Sequence, residues 1–387
     1  MTRGPVPRVL VLSARFGSGH TQAARAVAAA VGRLRPGALV VVRELGTRPA
    51  TRGERLLPAV ADVYLRLLRW TPGSYGWLYR QTATASDARG AGDVASWLLG
   101  PAIREAVRSV RPDVVLATHP FPGLAVAHLR WRGELGVPAA VVLTDFWPHP
   151  AWIHPGYDRF FVASASTARA LFGRGVPPGR VAVTGIPIGE AFWAGSPGGL
   201  RRGCAADAPG RVLVMGGSLG IGPLEAVSRF LLRLDPPPAV TVVAGQDRRA
   251  AARLRGLAAD HPRLEVHGYT PDVASLMAWA DLLVTKAGGL TCSEALAVGL
   301  PMVLLRPLPG HEEDNAAHLT RLGAAIQART PGQAAALARY LLVDAPGRRE
   351  RMGEAARAAG RPRAALAVAG RVLALAGHVV LPDTVRA

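Results

Sequence analysis

The sequence predicts an α/β protein of two Rossmann-like halves, each a parallel sheet with helices on both faces. Three observations predict it. Short β-rich runs alternate with helical segments through both halves. Each half opens on an apolar strand that runs through a glycine-rich turn into a helix, first at Arg8–Leu34 and again at Arg211–Leu234. Between them lies Ala194–Gly210, rich in Gly, Pro and Ala, which reads as a linker. Ligands of doubly wound sheets sit at the carboxyl ends of the strands, so the expected site is a cleft that the two domains face.

The elements follow in order. Arg8–Ala14 is an apolar strand, Thr21–Leu34 an alanine-rich helix and Ala38–Glu44 a second strand. Asp113–Thr118, Ala139–Thr144, Arg159–Ala163 and Val181–Thr184 are further strands, with helical segments in the gaps. The second half restarts with strand Arg211–Met215, the loop Gly216–Gly222 and helix Pro223–Leu234. Strands follow at Val240–Ala244, Leu264–His267, Leu282–Thr285 and Met302–Leu305. Pro346–Ala376 reads as helix with a break near Gly360–Pro362. The domains are therefore expected at 1–193 and 211–376, joined by the linker 194–210 and followed by a tail, 377–387. The last helix has the option of packing back on the first domain.

Composition narrows the classes. The chain has 387 residues and a net charge of +19, carried almost wholly by arginine; Lys286 is the one lysine. Such a charge favours anionic surfaces. No zinc or helix-turn-helix signature accompanies it, so no nucleic-acid partner is expected. No apolar run is long enough to span a bilayer, and the N-terminus lacks the apolar stretch of a signal peptide. Two distant cysteines, Cys204 and Cys292, form no framework. The expectation is a cytoplasmic protein. Arg52–Trp70, followed by the aromatic turn Tyr75–Tyr79, reads as a basic amphipathic helix with Arg66, Arg69, Trp70 and Trp77 as membrane contacts. An ordinary surface helix is the plainer reading. Docking on the inner face of the cell membrane follows from the first.

Three motifs carry chemistry. Phe16-Gly17-Ser18-Gly19-His20 joins strand to helix, where glycines admit a ligand and the helix offers free N–H groups. His20 at that helix start is either a general base or a structural histidine. Gly217, Ser218 and Gly220 sit in a second such turn, a diphosphate cradle or a packing turn. The third motif runs from Thr285 to Asn315. Its Lys286-Ala287-Gly288-Gly289-Leu290-Thr291 loop can hold phosphate, and Thr291 can cap the helix from Cys292. Glu294 in the first turn can accept ribose hydroxyls or simply face the helix dipole. His311, Glu312 and Asn315 can meet sugar hydroxyls. Asp145, His149, His154 and Asp158 raise a metal reading, but their proline-broken segment favours shaping the acceptor side, with His119 and Trp152 beside them. No Asp-x-Asp motif is present, so no metal and no cofactor are expected.

These stretches together resemble the family 28 glycosyltransferases, in the branch of monogalactosyldiacylglycerol synthases and processive diacylglycerol glucosyltransferases. The resemblance rests on Gly17–Ala24, Thr144-Asp145-Phe146, His149-Pro150-Ala151-Trp152, Thr184-Gly185-Ile186-Pro187 and Thr285–Thr291. It implies a GT-B fold, an acceptor-binding and membrane-facing first domain and a UDP-sugar-binding second domain. It implies an inverting transfer of a hexose from a UDP-sugar to diacylglycerol or a glycolipid. His20 then matches the family's base and Glu294 its ribose-binding glutamate. Asp145 joins His20 as a catalytic residue, with Gly17 and Gly19 on the acceptor side. His311, Glu312 and Asn315 match a Gln-Glu-x-x-Asn pattern that contacts the sugar. His311 departs from the usual glutamine, and Asp314 takes a place that is commonly basic or small. A polyprenyl-lipid acceptor with UDP-N-acetylglucosamine, or a UDP-sugar 2-epimerase, is the alternative.

Overall fold

The computed structural model describes residues 6–14, 18–47, 51–57, 59, 62, 73, 77, 79, 81–82, 89–193 and 209–378. Gly17, Arg66, Arg69, Trp70 and most of the linker lie outside them, as do most of the residues of the expected basic helix.

The chain divides into two compact units. One comprises Met1–Glu190, Pro309–His311 and Arg363–Ala387; the other comprises Ala191–Leu308 and Glu312–Pro362. The first is built on a six-stranded parallel sheet with the order β2-β1-β3-β4-β5-β6. Its strands are β1 (Arg8–Ala14), β2 (Leu39–Leu45), β3 (Val114–Ala117), β4 (Ala139–Val142), β5 (Arg159–Val162) and β6 (Val181–Val183). Its helices are α1 (Ser18–Leu34), α2 (Arg89–Val110), α3 (Pro120–Trp131) and α4 (Ala165–Phe172). β3 and β4 are buried at every position, as continuous apolar runs become when helices cover both faces of a sheet. α1 buries Ala23, Ala24, Val27, Ala30 and Val31. Its alanines allow close approach to the alanine-rich C-terminal helix, Ala364–Leu375, which packs on α1 and β3.

The second unit repeats the plan with the order β12-β11-β10-β7-β8-β9. The strands are β7 (Arg211–Met215), β8 (Ala239–Val243), β9 (Leu264–His267), β10 (Leu282–Thr285), β11 (Met302–Leu304) and β12 (Ala325–Gln327). The helices are α5 (Leu224–Leu232), α6 (Arg248–Ala259), α7 (Val273–Trp279), α8 (Gly289–Val298), α9 (His311–Arg321), α10 (Pro331–Arg339) and α11 (Pro346–Ala359). The C-terminal helix of the chain, α12, is the one already placed with the first unit. Sequence patterning missed β12, a three-residue strand whose middle residue is partly covered and whose last is exposed.

Three aspartates set the register at the far ends of the strands. Asp113, Asp158 and Asp281 each precede a strand. Each accepts the backbone N–H that opens the neighbouring strand: Arg8 at 2.7 Å, Ala139 at 2.8 Å and Arg211 at 3.0 Å. Asp281 also takes two hydrogen bonds from the Arg211 guanidinium, at 3.0 and 2.8 Å. Burial works against its charge, but those bonds prevail and hold its carboxyl below the usual range.

Candidate active site

Both sheets place their chemistry at a topological switch point, where the chain leaves one side of a central strand and continues on the other. In the first unit that point lies between β1 and β3. It gathers the residues after β1, β3 and β4. His20 stands in the first turn of α1, half-buried, three residues after the segment 15–17. Its Nδ1 lies 2.8 Å from the Thr118 carbonyl oxygen and 2.9 Å from Thr144 Oγ1. The Thr118 hydroxyl donates back to the His20 carbonyl at 2.9 Å, which ties the start of α1 to the end of β3. His119 meets the His20 ring edge-on with centroids 4.4 Å apart, and Trp152 lies at 6.1 Å. Burial pulls the imidazole below its ordinary value; the Asp145 charge and the Thr118 carbonyl oppose it. Gly19 is in the same turn.

The other histidines of this region have a specific structural role, as caps. His119, His149 and His154 each precede a proline, and each accepts the N–H two residues on through Nδ1. The partners are Phe121, Ala151 and Gly156, all at 3.1 Å. A proline after the cap has no N–H to lose and a φ already suited to a helical turn. His-Pro is therefore an N-cap device here, opening α3 and the short turn Pro150–Trp152. The Nε2 of His149 faces Tyr79 O and Thr82 Oγ1 at 3.4 and 3.2 Å, so this ring ties Tyr79 and Thr82 to the loop after β4. Trp152 is buried in the core. The metal reading loses its ligands: Asp158 pairs with Arg130 and Ala139, and His154 is buried as a cap. Among the described residues no group of three His, Cys, Asp or Glu side chains is placed to hold a metal ion. Trp77 is 60% exposed.

In the second unit the switch point lies between β7 and β10. The turn after β7 meets the loop after β10 there: a Cβ at Gly217 would stand 3.2 Å from Lys286 Cε. Gly217 and Gly220 adopt φ of +69° and +65°. A side chain at Gly220 would strike the Ala244 carbonyl oxygen at 2.2 Å. Ser218 O accepts Gln246 N–H at 2.8 Å. Glycine at 220 is thus demanded by packing, whereas Gly217 faces the lysine.

The loop after β10 corrects the expected helix start. The Gly288 carbonyl accepts the Cys292 N–H at 3.0 Å, so Gly288 is the N-cap and α8 begins at Gly289. Leu290 and Thr291 fall inside the first turn, where Thr291 caps nothing, and Glu294 falls in the second turn. Glu294 is half-buried, and burial pushes its carboxyl up to about 8. Lys286 Nζ lies 2.5 Å from Glu312 Oε1, while Glu312 Oε2 accepts the Leu308 N–H at 3.1 Å. Asn315, fully buried, donates to Ala287 O at 3.1 Å. Glu312 and Asn315 therefore hold the 286–288 loop in place, a role that their motif did not announce. His311 opens α9.

Comparison with known proteins agrees with this anatomy. Residues 20–188 match the family model of monogalactosyldiacylglycerol (MGDG) synthase, and residues 211–356 match the glycosyltransferase family 28 C-terminal domain. A processive diacylglycerol beta-glucosyltransferase of Bacillus cereus (strain AH187) is 29% identical over 379 residues, 95% of this chain and 94% of that protein. One from Bacillus thuringiensis (strain Al Hakam) is 29% identical over 349 residues, 87% of this chain and 86% of its own length. The fold is shared with Acinetobacter baumannii MurG, at a TM-score of 0.59 and 20% identity, over 95% of this chain and 100% of that one. It is also shared with Staphylococcus aureus MnaA in its UDP co-structure, at a TM-score of 0.62 and 14% identity, over 97% and 98%. The architecture is GT-B, two Rossmann-like domains: the first resembles the monogalactosyldiacylglycerol synthases and the second the family 28 glycosyltransferase C-terminal domain, and along most of its length the chain is similar to processive diacylglycerol glucosyltransferases.

Proposed function

We propose that this glycosyltransferase moves a hexose from a UDP-sugar to a membrane lipid, diacylglycerol or a glycolipid, with inversion at the anomeric carbon. The observation that supports it best is His20. It stands at the switch point of the first unit, neutral near pH 7 and held by Thr118 and Thr144. The relatives at 29% identity carry the names of diacylglycerol glucosyltransferases, which supplies the acceptor class.

In this reading His20 takes the proton of an acceptor hydroxyl, and the freed oxygen attacks the anomeric carbon opposite the departing UDP. Asp145 stabilises the imidazolium that results. The second unit receives the donor. Glu294 accepts ribose hydroxyls, and N–H groups at the start of α8, with the turn at Gly217, receive the diphosphate. Lys286 adds positive charge there. No metal is assigned a step, so transfer should survive chelation by EDTA. Docking on an anionic membrane surface, with Trp77 among the contacts, brings the lipid to the enzyme. No nucleic acid takes part.

The test is transfer from UDP-glucose, UDP-galactose and UDP-N-acetylglucosamine to diacylglycerol in anionic vesicles. Turnover with one of these donors supports the reading. Turnover only on a polyprenyl phosphate lipid, or epimerisation of UDP-N-acetylglucosamine without any acceptor, removes it.

A further inference from the structure

The surroundings of His20 hold more than a base. We propose that Thr144 is a positioning residue: with the Thr118 carbonyl it forms a two-acceptor clamp on Nδ1 that fixes the His20 tautomer and leaves Nε2 as the one basic atom. The catalytic meaning of this rests on the reading of His20 as general base. The clamp itself is a property of the free protein.

A backbone carbonyl oxygen can only accept, and the Thr118 oxygen lies 2.8 Å from Nδ1. If Nδ1 carried a lone pair, two electron-rich atoms would face each other at hydrogen-bond distance. Nδ1 therefore carries the proton. Thr144 Oγ1, 2.9 Å from the same nitrogen, then also faces an N–H and serves as its second acceptor. The Thr144 hydroxyl hydrogen must point elsewhere. Nothing else about Thr144 is adjustable, since it is buried just after β4.

The consequence is economy of motion. In the neutral ring Nδ1 is protonated and Nε2 is free. In the imidazolium Nδ1 is still protonated. Both acceptors are satisfied in both states, so the ring can take up a proton and release it without turning or exchanging partners. His119, edge-on at 4.4 Å, and Trp152, at 6.1 Å, limit the ring from its sides, and the Asp145 charge favours the protonated state. Thr118 is doubly bound into this arrangement, because its hydroxyl donates to the His20 carbonyl.

The experiment uses the full-length protein with 15N-labelled histidine, and His20→Ala to assign the His20 signals. At alkaline pH the wild type should show a protonated Nδ1 and an unprotonated Nε2 for His20. Thr144→Val keeps the side chain's shape and removes its acceptor. It leaves Nδ1 held protonated by the Thr118 carbonyl but takes away one of its two acceptors, so it should shift the Nδ1–H resonance and lower kcat by about tenfold, less than the roughly hundredfold to ten-thousandfold that loss of a general base costs, with KM nearly unchanged. Thr144→Ser should restore both readouts, which separates positioning from simple packing. A protonated Nε2 in the wild type overturns the clamp. So does Thr144→Val with an unchanged spectrum, whatever its rate. Wild-type turnover in His20→Ala would instead remove the base reading, and the spectra would still decide on the clamp.

Discussion

Lys286 Nζ and Glu312 Oε1 lie 2.5 Å apart, in an ion pair whose carboxylate is 1% exposed and whose lysine is 26% exposed. Lys286 follows β10 and Glu312 stands in the first turn of α9, so the pair fastens the helix to the loop at the switch point. Removing the lysine alone would leave a buried carboxylate without its cation. Lys286→Met is expected to cost roughly 3 kcal/mol, the low end of the range for breaking a buried pair, since the lysine keeps some water. Lys286→Met with Glu312→Leu should recover much of it. Denaturant midpoints of the three proteins check this, and equal midpoints for wild type and Lys286→Met would refute it.

His20→Ala should lower kcat by about a hundredfold to ten-thousandfold, the usual worth of a placed base. Steady-state kinetics on vesicles measure it. Retention of wild-type turnover would move the base elsewhere.

The pH profile follows from the same ring. Burial sets the His20 imidazole below its ordinary value, against the pull of Asp145 and the Thr118 carbonyl. The neutral ring is the active form. The acidic limb of kcat/KM should therefore fall below pH 6.5, with activity lost as pH drops through the lowered value. Asp145→Asn removes a contribution that raises it, so its limb should shift to still lower pH. A limb displaced upward would contradict the assignment.

Glu294 predicts a second titration. Burial raises its carboxyl from an ordinary 4.5 to about 8. A raised carboxyl favours the folded protein in its protonated form. Its contribution is complete below pH 4.5 and is lost as pH rises through about 8. Glu294→Gln should therefore be more stable than the wild type above pH 8 and match it at low pH. If ribose hydroxyls donate to the ionised form, UDP binding by the wild type should strengthen as pH rises toward 8, and Glu294→Gln should lose that dependence. Calorimetry in buffers of different ionisation heat reports the proton released.

Two glycines of one turn should behave differently. Gly220→Ala places a methyl group 2.2 Å from the Ala244 carbonyl oxygen at a φ of +65°, and should destabilise by about 1–3 kcal/mol. Gly217→Ala shares the positive φ, +69°, but its methyl group meets only the flexible Lys286 stem, at 3.2 Å. It should cost less stability and weaken UDP binding instead. Thermal unfolding with and without UDP separates the two.

Much of the fold was legible because a parallel strand covered on both faces reads as an unbroken apolar run. Arg211–Met215 and Leu282–Thr285 were found to the residue on that signal. β12 escaped because only its first residue is buried and its three residues leave no pattern. In the candidate site, His20, Lys286 and Glu294 stood out by type and position. For the three His-Pro histidines the sequence left a structural role and a place on the acceptor side equally open, since a histidine that accepts a backbone N–H looks the same in sequence as one that binds a ligand.

By itself the sequence determined the two α/β halves, the order of strands and helices, the glycine turns after β1 and β7 and the identity of the groups that carry charge and protons. Only the tertiary structure decided which of them meet. Thr144 reaches His20 across 124 positions, the Thr118 carbonyl across 98, and Glu312 reaches Lys286 across 26. Such pairings depend on strand order at a switch point. Strand order is settled by how apolar faces are buried together, a property of the whole sheet that no single segment carries.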